Sequence, residues 1–174
     1  MLALAEAMAN LNQADESLKL VTRAIEVNPE VPQAYELRAR VHVIKNQMKQ
    51  ALVDVNKSIH LQPGSVSSLL LRARLLQAQD KFDDALKDVD TALKIRPDMN
   101  SALFLKSTIY EGKQDFIKAA DTMSVLVKRD PQNEQAQLML GMYYSMGSRI
   151  KEALAQFDRI LEKNGKNAMA LYWR

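Results

Sequence analysis

Residues 66–99, VSSLLLRARLLQAQDKFDDALKDVDTALKIRPDM, decide how the chain folds. The opening thirteen residues form one apolar-periodic stretch, and the polar break Gln79-Asp80-Lys81 ends it. From residue 82 onward, Phe82, Ala85, Leu86, Val89, Ala92 and Leu93 recur at the spacing of one face of an amphipathic helix. Pro97 then stops that helix, because the residue before a proline is pushed out of helical space. The stretch therefore reads as helix, tight turn, helix, stop.

The same order returns along the chain. Prolines 29, 63, 97 and 131 stand 34 residues apart, and Gly165 holds the slot where the next proline would fall. A fixed period of this length is the mark of a repeat architecture. Registered on the prolines, the 174 residues divide into segments 1–31 (partial), 32–65, 66–99, 100–133, 134–167 and a remnant, 168–174. First helices are expected near 1–10, 31–44, 65–78, 99–112 and 133–146, and second helices near 15–27, 48–61, 82–95, 116–129 and 150–163. No strand pattern competes. The break residues Asn12, Asn46 and Asp80 tolerate the left-handed backbone that a tight turn between helices needs. Ser65, Asn133 and Asn167 stand where helix N-caps are wanted, and Pro32 suits a first helical turn.

Composition narrows the function. With 47% apolar and 26% charged residues the chain buries a core, which excludes disorder and a collagen-like fold. No run approaches the roughly 18 apolar residues of a membrane span, and no signal peptide is read at the start of the sequence; the compartment stays open, with a lean toward the cytoplasm. The absence of cysteine excludes disulfides, thiolate metal sites and cysteine nucleophiles. The formal charge of +3 is dispersed, with no block of five like charges, so no nucleic-acid-binding tail is expected. His42 and His60 are the only histidines, and neither sits in a ligand or catalytic spacing. His42 reads as a hydrogen-bonded packing histidine and His60 as surface. No phosphate-binding loop, dinucleotide fingerprint or nucleophile elbow is present, so no catalytic residue, metal or cofactor is assigned and the chain is not expected to be an enzyme.

Overlaid on one another, the segments resemble the tetratricopeptide repeat (TPR) family. Segment 134–167 shows Leu140, Gly141, Tyr144, Ala153 and Phe157 in the family's slots, and segment 32–65 shows Tyr35, Ala39, Ala51, Val55 and Pro63. Segment 66–99 has Leu69, Ala73, Leu76, Ala85, Val89, Ala92 and Pro97; segment 100–133 has Leu103, Ser107, Tyr110, Ala119, Met123 and Pro131. Segment 1–31 keeps Leu4, Ala5, Ala24 and Pro29 but places Ser17 where Ala is expected. The small residues at repeat positions 8, 20 and 27 let two helix backbones approach closely. The resemblance implies an all-α fold: a right-handed α-solenoid of stacked antiparallel helix hairpins, read here as a single array over 1–174 and as an excerpt of a longer protein.

Two departures from the pattern are informative. Position 7 is Arg38 and Arg72 in segments whose position 23 is Asp54 and Asp88. Positions 20, 23, 24 and 27 share one helical face, so each Asp looks back at its Arg, and the guanidinium fork suits a bidentate carboxylate. Arg38–Asp54 and Arg72–Asp88 are expected as structural ion pairs. Arg174 also stands at position 7, with its partner expected beyond residue 174. Leu171, Tyr172 and Trp173 are expected to pack on a neighbouring chain, giving self-association, or on the preceding hairpin in a frayed conformation.

The resemblance further implies that first helices line a concave binding surface. Position 5 there reads Leu2, Glu36, Leu70, Phe104, Leu138 and Tyr172, and position 9 reads Glu6, Arg40, Arg74, Thr108 and Met142. Apolar residues along such a ladder, flanked by polar ones, mark an interaction site. The expected peptide-binding groove comprises Glu36, Arg40, Leu70, Arg74, Gln77, Phe104, Thr108, Leu138 and Met142. Its expected ligand is a protein or peptide segment, apolar with an acidic residue near Arg40 and Arg74. Family members that grip chaperone C-terminal tails use Lys, Asn and Arg in slots that here hold Glu36, Arg40, Leu71, Ser101 and Leu105, so a chaperone tail is not expected. The alternatives are a helical-repeat nucleic-acid binder, against which the weak positive balance argues, and the regulatory or targeting arm of a larger enzyme.

Overall fold

A computed structural model describes residues 1–11 and 13–174. Asn12, the first of the three break residues, lies outside the described residues. Within them the chain is eleven α-helices and no strand. The first helices are α1 (Leu2–Asn10), α3 (Pro32–Ile44), α5 (Val66–Gln77), α7 (Asn100–Gly112) and α9 (Glu134–Met146). The second helices are α2 (Ala14–Val27), α4 (Met48–Leu61), α6 (Phe82–Ile95), α8 (Phe116–Arg129) and α10 (Ile150–Lys163); α11 (Ala168–Trp173) follows. Every expected helix is present, with ends within a residue of the periodicity reading. Among the described residues no helix is long and apolar enough to cross a membrane.

The turns inside the hairpins share one mechanism. Asn46, Asp80, Gln114 and Ser148 take positive φ values of 57, 57, 60 and 61°. The next N–H in each case reaches back to a carbonyl five residues earlier: Gln47 to His42 at 2.8 Å, Lys81 to Leu76 at 2.9 Å, Asp115 to Tyr110 at 2.9 Å and Arg149 to Tyr144 at 2.7 Å. That 6→1 bond defines a Schellman ending, which satisfies carbonyls left over by the first helix. The caps at the other ends are equally local. Ser65 Oγ accepts from Ser68 N, Asn133 Oδ1 from Ala136 N and Asn167 Oδ1 from Ala170 N. Asp115 caps α8 in the same way, accepting from Lys118 N at 3.1 Å.

The chain divides into two compact units, Met1–Pro97 and Asp98–Arg174. In the first, α1, α3 and α5 touch in sequence while α2 and α4 each pack between successive first helices. Its core joins Ala5, Val21, Ile25, Ala34, Tyr35, Leu37 and Val41 to a second cluster of Ala39, Ala51, Val55 and Leu75. Ser17, in the slot expected for Ala, is buried, and its hydroxyl donates to the carbonyl of Ala5 at 2.7 Å, so the polar atom costs little there. In the second unit α8 packs on both α7 and α9, and α9 packs on α10. Ala153, Phe157, Ile160 and Ala170 form one cluster of its core, with Leu138, Met142, Tyr144, Leu161 and Trp173 packed against them.

The terminal segment differs from expectation in two respects. It is helical rather than frayed, because Asn167 caps it and Ala170 and Trp173 seat it on α9 and α10. Trp173 packs inward, while Leu171 and Tyr172 are exposed. Arg174 also finds a partner inside the chain: its Nε lies 2.9 Å from Asp158 Oδ1.

Gly141 sets the tightest contact. A Cβ added there would sit 2.6 Å from Phe157 Cε1 and 2.9 Å from Cζ, and the ring is fully buried. Gly141→Ala gains helix propensity but forces the ring aside, and the expected net loss is about 1 kcal/mol. Phe157→Val leaves a cavity and is expected to cost about 2–3 kcal/mol. The double variant, which recreates the Ala39 and Val55 pairing of the second hairpin, should be no less stable than Phe157→Val alone. Urea unfolding of the four proteins checks this, and simply additive losses would show that the two residues do not share their space.

Candidate functional site

The first-helix face of unit 1 carries its charges at fixed repeat positions. Glu6 on α1, Arg40 on α3 and Arg74 on α5 stand 34 residues apart, so they occupy one rung on successive helices. Arg40 NH1 donates to Glu6 Oε1 at 3.1 Å, with 44% and 53% of the two side chains exposed. Arg74 is exposed, and its side chain has no ion-pair partner among the described residues. Leu2, Ala3, Glu6, Gln33, Glu36, Leu37, Arg40 and Ser67 line a cleft of 360 Å³ on this face.

Glu36 is held inside that wall. Its Oε2 accepts from Ser67 Oγ at 2.6 Å, from Ser68 Oγ at 2.9 Å and from Ser65 Oγ at 3.4 Å. Ser68 is buried, and its hydroxyl also lies 2.9 Å from both Ser58 Oγ and Ser65 Oγ. One carboxylate on α3 thus gathers the hydroxyls that begin α5 and ties two hairpins together. Of the remaining α5 residues, Leu70 is only 6% exposed and belongs to the packed interior, whereas Gln77 is half-buried.

In unit 2 the corresponding face is apolar. Phe104 on α7 is 36% exposed. Thr108, one turn on, is half-buried and donates its hydroxyl to the Leu105 carbonyl at 3.0 Å. Leu138 and Met142 on α9 lie together, half-buried, against the Phe157 cluster. Tyr143, on the same helix, donates to Glu111 Oε2 at 2.7 Å. Burial first, and then the Glu111 carboxylate, raise the Tyr143 phenol above its ordinary pKa of 10.

The two Arg–Asp pairs lie within the hairpins of unit 1. Arg38 Nε and NH2 each donate to Asp54 at 2.7 Å, and Arg72 does the same to Asp88 at 2.7 Å on both nitrogens. Both carboxylates are buried, and the bidentate fork compensates for their lost hydration. Arg72 NH1 also donates to Asn56 Oδ1 at 2.9 Å, and Arg38 lies 5.7 Å from the centre of the Tyr35 ring. His42 is a packing residue: Nδ1 is 2.7 Å from Gln47 Oε1 and Nε2 is 3.5 Å from Asp54 Oδ2. Among the described residues no group of three His, Cys, Asp or Glu side chains could hold a metal.

Sequence reading missed the Glu6–Arg40 pair, although opposite charges one period apart are a usable signal. The serine hold on Glu36 was also missed; its signal is the cluster Ser65, Ser67 and Ser68 one repeat after an acidic position.

The sequence profile of the tetratricopeptide repeat matches residues 2–66 and 70–134. Among solved structures, YrrB, described as a TPR protein with an unusual peptide-binding site, is similar at a TM-score of 0.82 and 18% identity, over 98% of this chain and 88% of that one. The segment of MamA from residue 41 to the end, from Desulfovibrio magneticus RS-1, gives 0.84 at 16% identity, over 95% and 94% of the two chains. The thermophilic TPR protein TTC0263 from Thermus thermophilus gives 0.68 at 20% identity, over 99% and 94%. At these identities the likeness is one of fold. No curated protein matches the chain in sequence.

Two outcomes follow from the site geometry. Glu36→Ala strips a carboxylate from three hydroxyls and is expected to cost about 1–2 kcal/mol of stability in chemical unfolding; an unchanged midpoint would make the serine hold incidental. The raised Tyr143 phenol stays protonated in the folded chain while the unfolded phenol ionises near pH 10. Its stabilising contribution is therefore complete below pH 10 and is lost as pH rises above it. Thermal melts between pH 8 and about 11 should fall more steeply for the native chain than for Tyr143→Phe.

Proposed function

The chain belongs to the tetratricopeptide repeat family, a fold that generally serves as a scaffold for protein–protein interaction, and from that premise we propose that it docks a peptide or protein segment on its first-helix faces without chemistry of its own. The observation that carries the reading is Arg74: an exposed guanidinium with no ion-pair partner among the described residues, on the same rung as Arg40 and its cleft. An exposed cation with no ion-pair partner suits an acidic side chain or a terminal carboxylate. In unit 1 the docking face is Arg40, Arg74 and Gln77, with Leu70 as its floor and Glu36 in its wall. In unit 2 it is Phe104, Thr108, Leu138 and Met142, which suit an apolar side chain. The peptide-binding site ascribed to YrrB supports this reading by likeness of fold.

The two faces predict different losses. Aromatic anchors carry a disproportionate share of binding energy, so Phe104→Ala should weaken binding by about 2 kcal/mol. Arg74→Ala should chiefly slow association and flatten its salt dependence. Neither variant should change the melting temperature appreciably, since neither side chain is buried in the core. A partner captured with the full-length chain, titrated calorimetrically and by stopped flow against both variants, decides the matter. Native binding by both would place the ligand elsewhere on the molecule.

A further inference from the structure

We propose that Glu6 is an internal competitor for the ligand: its carboxylate holds the Arg40 guanidinium that an acidic side chain of the docked peptide takes over. The inference rests on the docking reading above and specifies how the unit 1 face recognises its ligand.

Three features of the face lead to it. Along the rung the charges run negative, positive, positive, from Glu6 to Arg40 to Arg74, so one acidic side chain is set against two guanidiniums. Glu6 meets Arg40 through a single nitrogen, NH1 at 3.1 Å, rather than through the two-nitrogen fork by which Arg38 and Arg72 grip their aspartates. A one-point contact between half-exposed groups is weak and is readily exchanged. The other carboxylate of the cleft, Glu36, is taken by Ser65, Ser67 and Ser68, which leaves Glu6 as the cleft's acid that engages Arg40.

The exchange follows from these contacts. Arg74, already free, draws an incoming carboxylate to the face. Glu6 lies on the α1 side of Arg40 and Arg74 lies on the α5 side. Release of Glu6 lets the Arg40 side chain turn from α1 toward the ligand carboxylate, which it meets together with Arg74. Glu6 then becomes a solvated acid, and its negative charge beside the cleft disfavours ligands with acids in excess. The ligand class is a peptide with one acidic side chain in an apolar setting, and the face discriminates it from a polyacidic stretch.

The test uses the full chain and two capped, fluorescein-labelled hexapeptides, each leucine- and alanine-based, with one central aspartate or one central asparagine. Anisotropy titrations at low ionic strength compare the native chain, Glu6→Gln, Arg40→Ala, the Glu6→Gln/Arg40→Ala double variant and Arg74→Ala. The aspartate peptide is expected to bind the native chain about tenfold more tightly than the asparagine peptide. Glu6→Gln should tighten the aspartate peptide about threefold, leave the asparagine peptide unchanged, and have no effect in the Arg40→Ala background. Equal tightening with and without Arg40 would mean a general field effect and would overturn the exchange, while a loss on Arg40→Ala leaves the docking reading standing. Equal binding of both peptides, insensitive to Arg40→Ala and to Arg74→Ala, would instead overturn the docking reading for unit 1. Circular dichroism of each variant confirms that the helices are retained.

Discussion

Where Gly141 faces Phe157, the two helices of a hairpin come so close that one added methyl group would meet a ring carbon at 2.6 Å. Each other hairpin meets the same limit with a different division of volume. Ala5 shares a fully buried cluster with Val21, and Ala39 with Val55; Ala73 and Val89, then Ser107 and Met123, stand fully buried at the same two positions. The smallest residue stands with the largest partner. Interiors packed to crystalline density leave little slack, so a ring the size of Phe157 is matched here by a glycine rather than by the Ala or Ser of the other hairpins. Once that crossing is fixed, the rotation of each second helix is fixed with it. Its position 23 then turns toward position 7 of the first helix, which decides where polar groups can enter the hairpin.

Two hairpins use that slot for charge. Asp54 and Asp88 are buried, a placement that costs several kcal/mol unless the carboxylate is met by good donors, and the bidentate arginines supply them. The other hairpins hold no Arg and Asp together in that slot. Leu4 and Leu20 hold the slot in the first, Lys106 and Thr122 in the fourth, and Leu140 and Gln156 in the fifth. Gln156 Oε1 is buried with no hydrogen-bond partner among the described residues, which is what a half-polar version of the slot produces. The ion pair is therefore one of several solutions to the same crossing. A charged slot does fix relative register more sharply than an apolar one, since an arginine displaced by one residue leaves a carboxylate buried alone.

Helix ends were legible to within a residue because each is set by a local rule. Prolines stop the first four second helices, Schellman turns end first helices, and Ser65, Asn133 and Asn167 cap the next. The Arg–Asp slots were legible for a similar reason: both partners lie in one hairpin, sixteen residues apart, with helix geometry between them. Gln114 and Ser148 adopt the left-handed turn without the Asn or Asp chemistry that favours it, so the backbone bond to Tyr110 and Tyr144 carries the turn there. The candidate face was less legible. Its contacts run sideways between hairpins, from Glu6 to Arg40 and from Glu36 to Ser67 and Ser68, and their reach depends on how first helices lie against one another. Periodicity names the rung but not the neighbour. Leu70 shows the consequence, for the same repeat position that leaves Phe104 partly open buries Leu70 in the packing.

The core makes its demands at positions 8, 20, 24 and 27, and the first-helix face is left free to vary. That freedom explains why two units built on one scaffold present different chemistry. Unit 1 sets Glu6, Glu36, Arg40 and Arg74 on its face, and unit 2 sets Phe104, Leu138 and Met142. Charges on such a face first satisfy one another: Glu36 with its serines, Glu6 with Arg40. The groups left over are then the ones that supply attraction, because they alone gain a partner on binding without giving one up. A contact already made internally lowers affinity by its own strength and raises selectivity by the same amount, since only a ligand that replaces it in kind recovers the loss. On the proposed docking, Arg74, which has no ion-pair partner among the described residues, supplies attraction and the weakly held guanidinium of Arg40 supplies the discrimination.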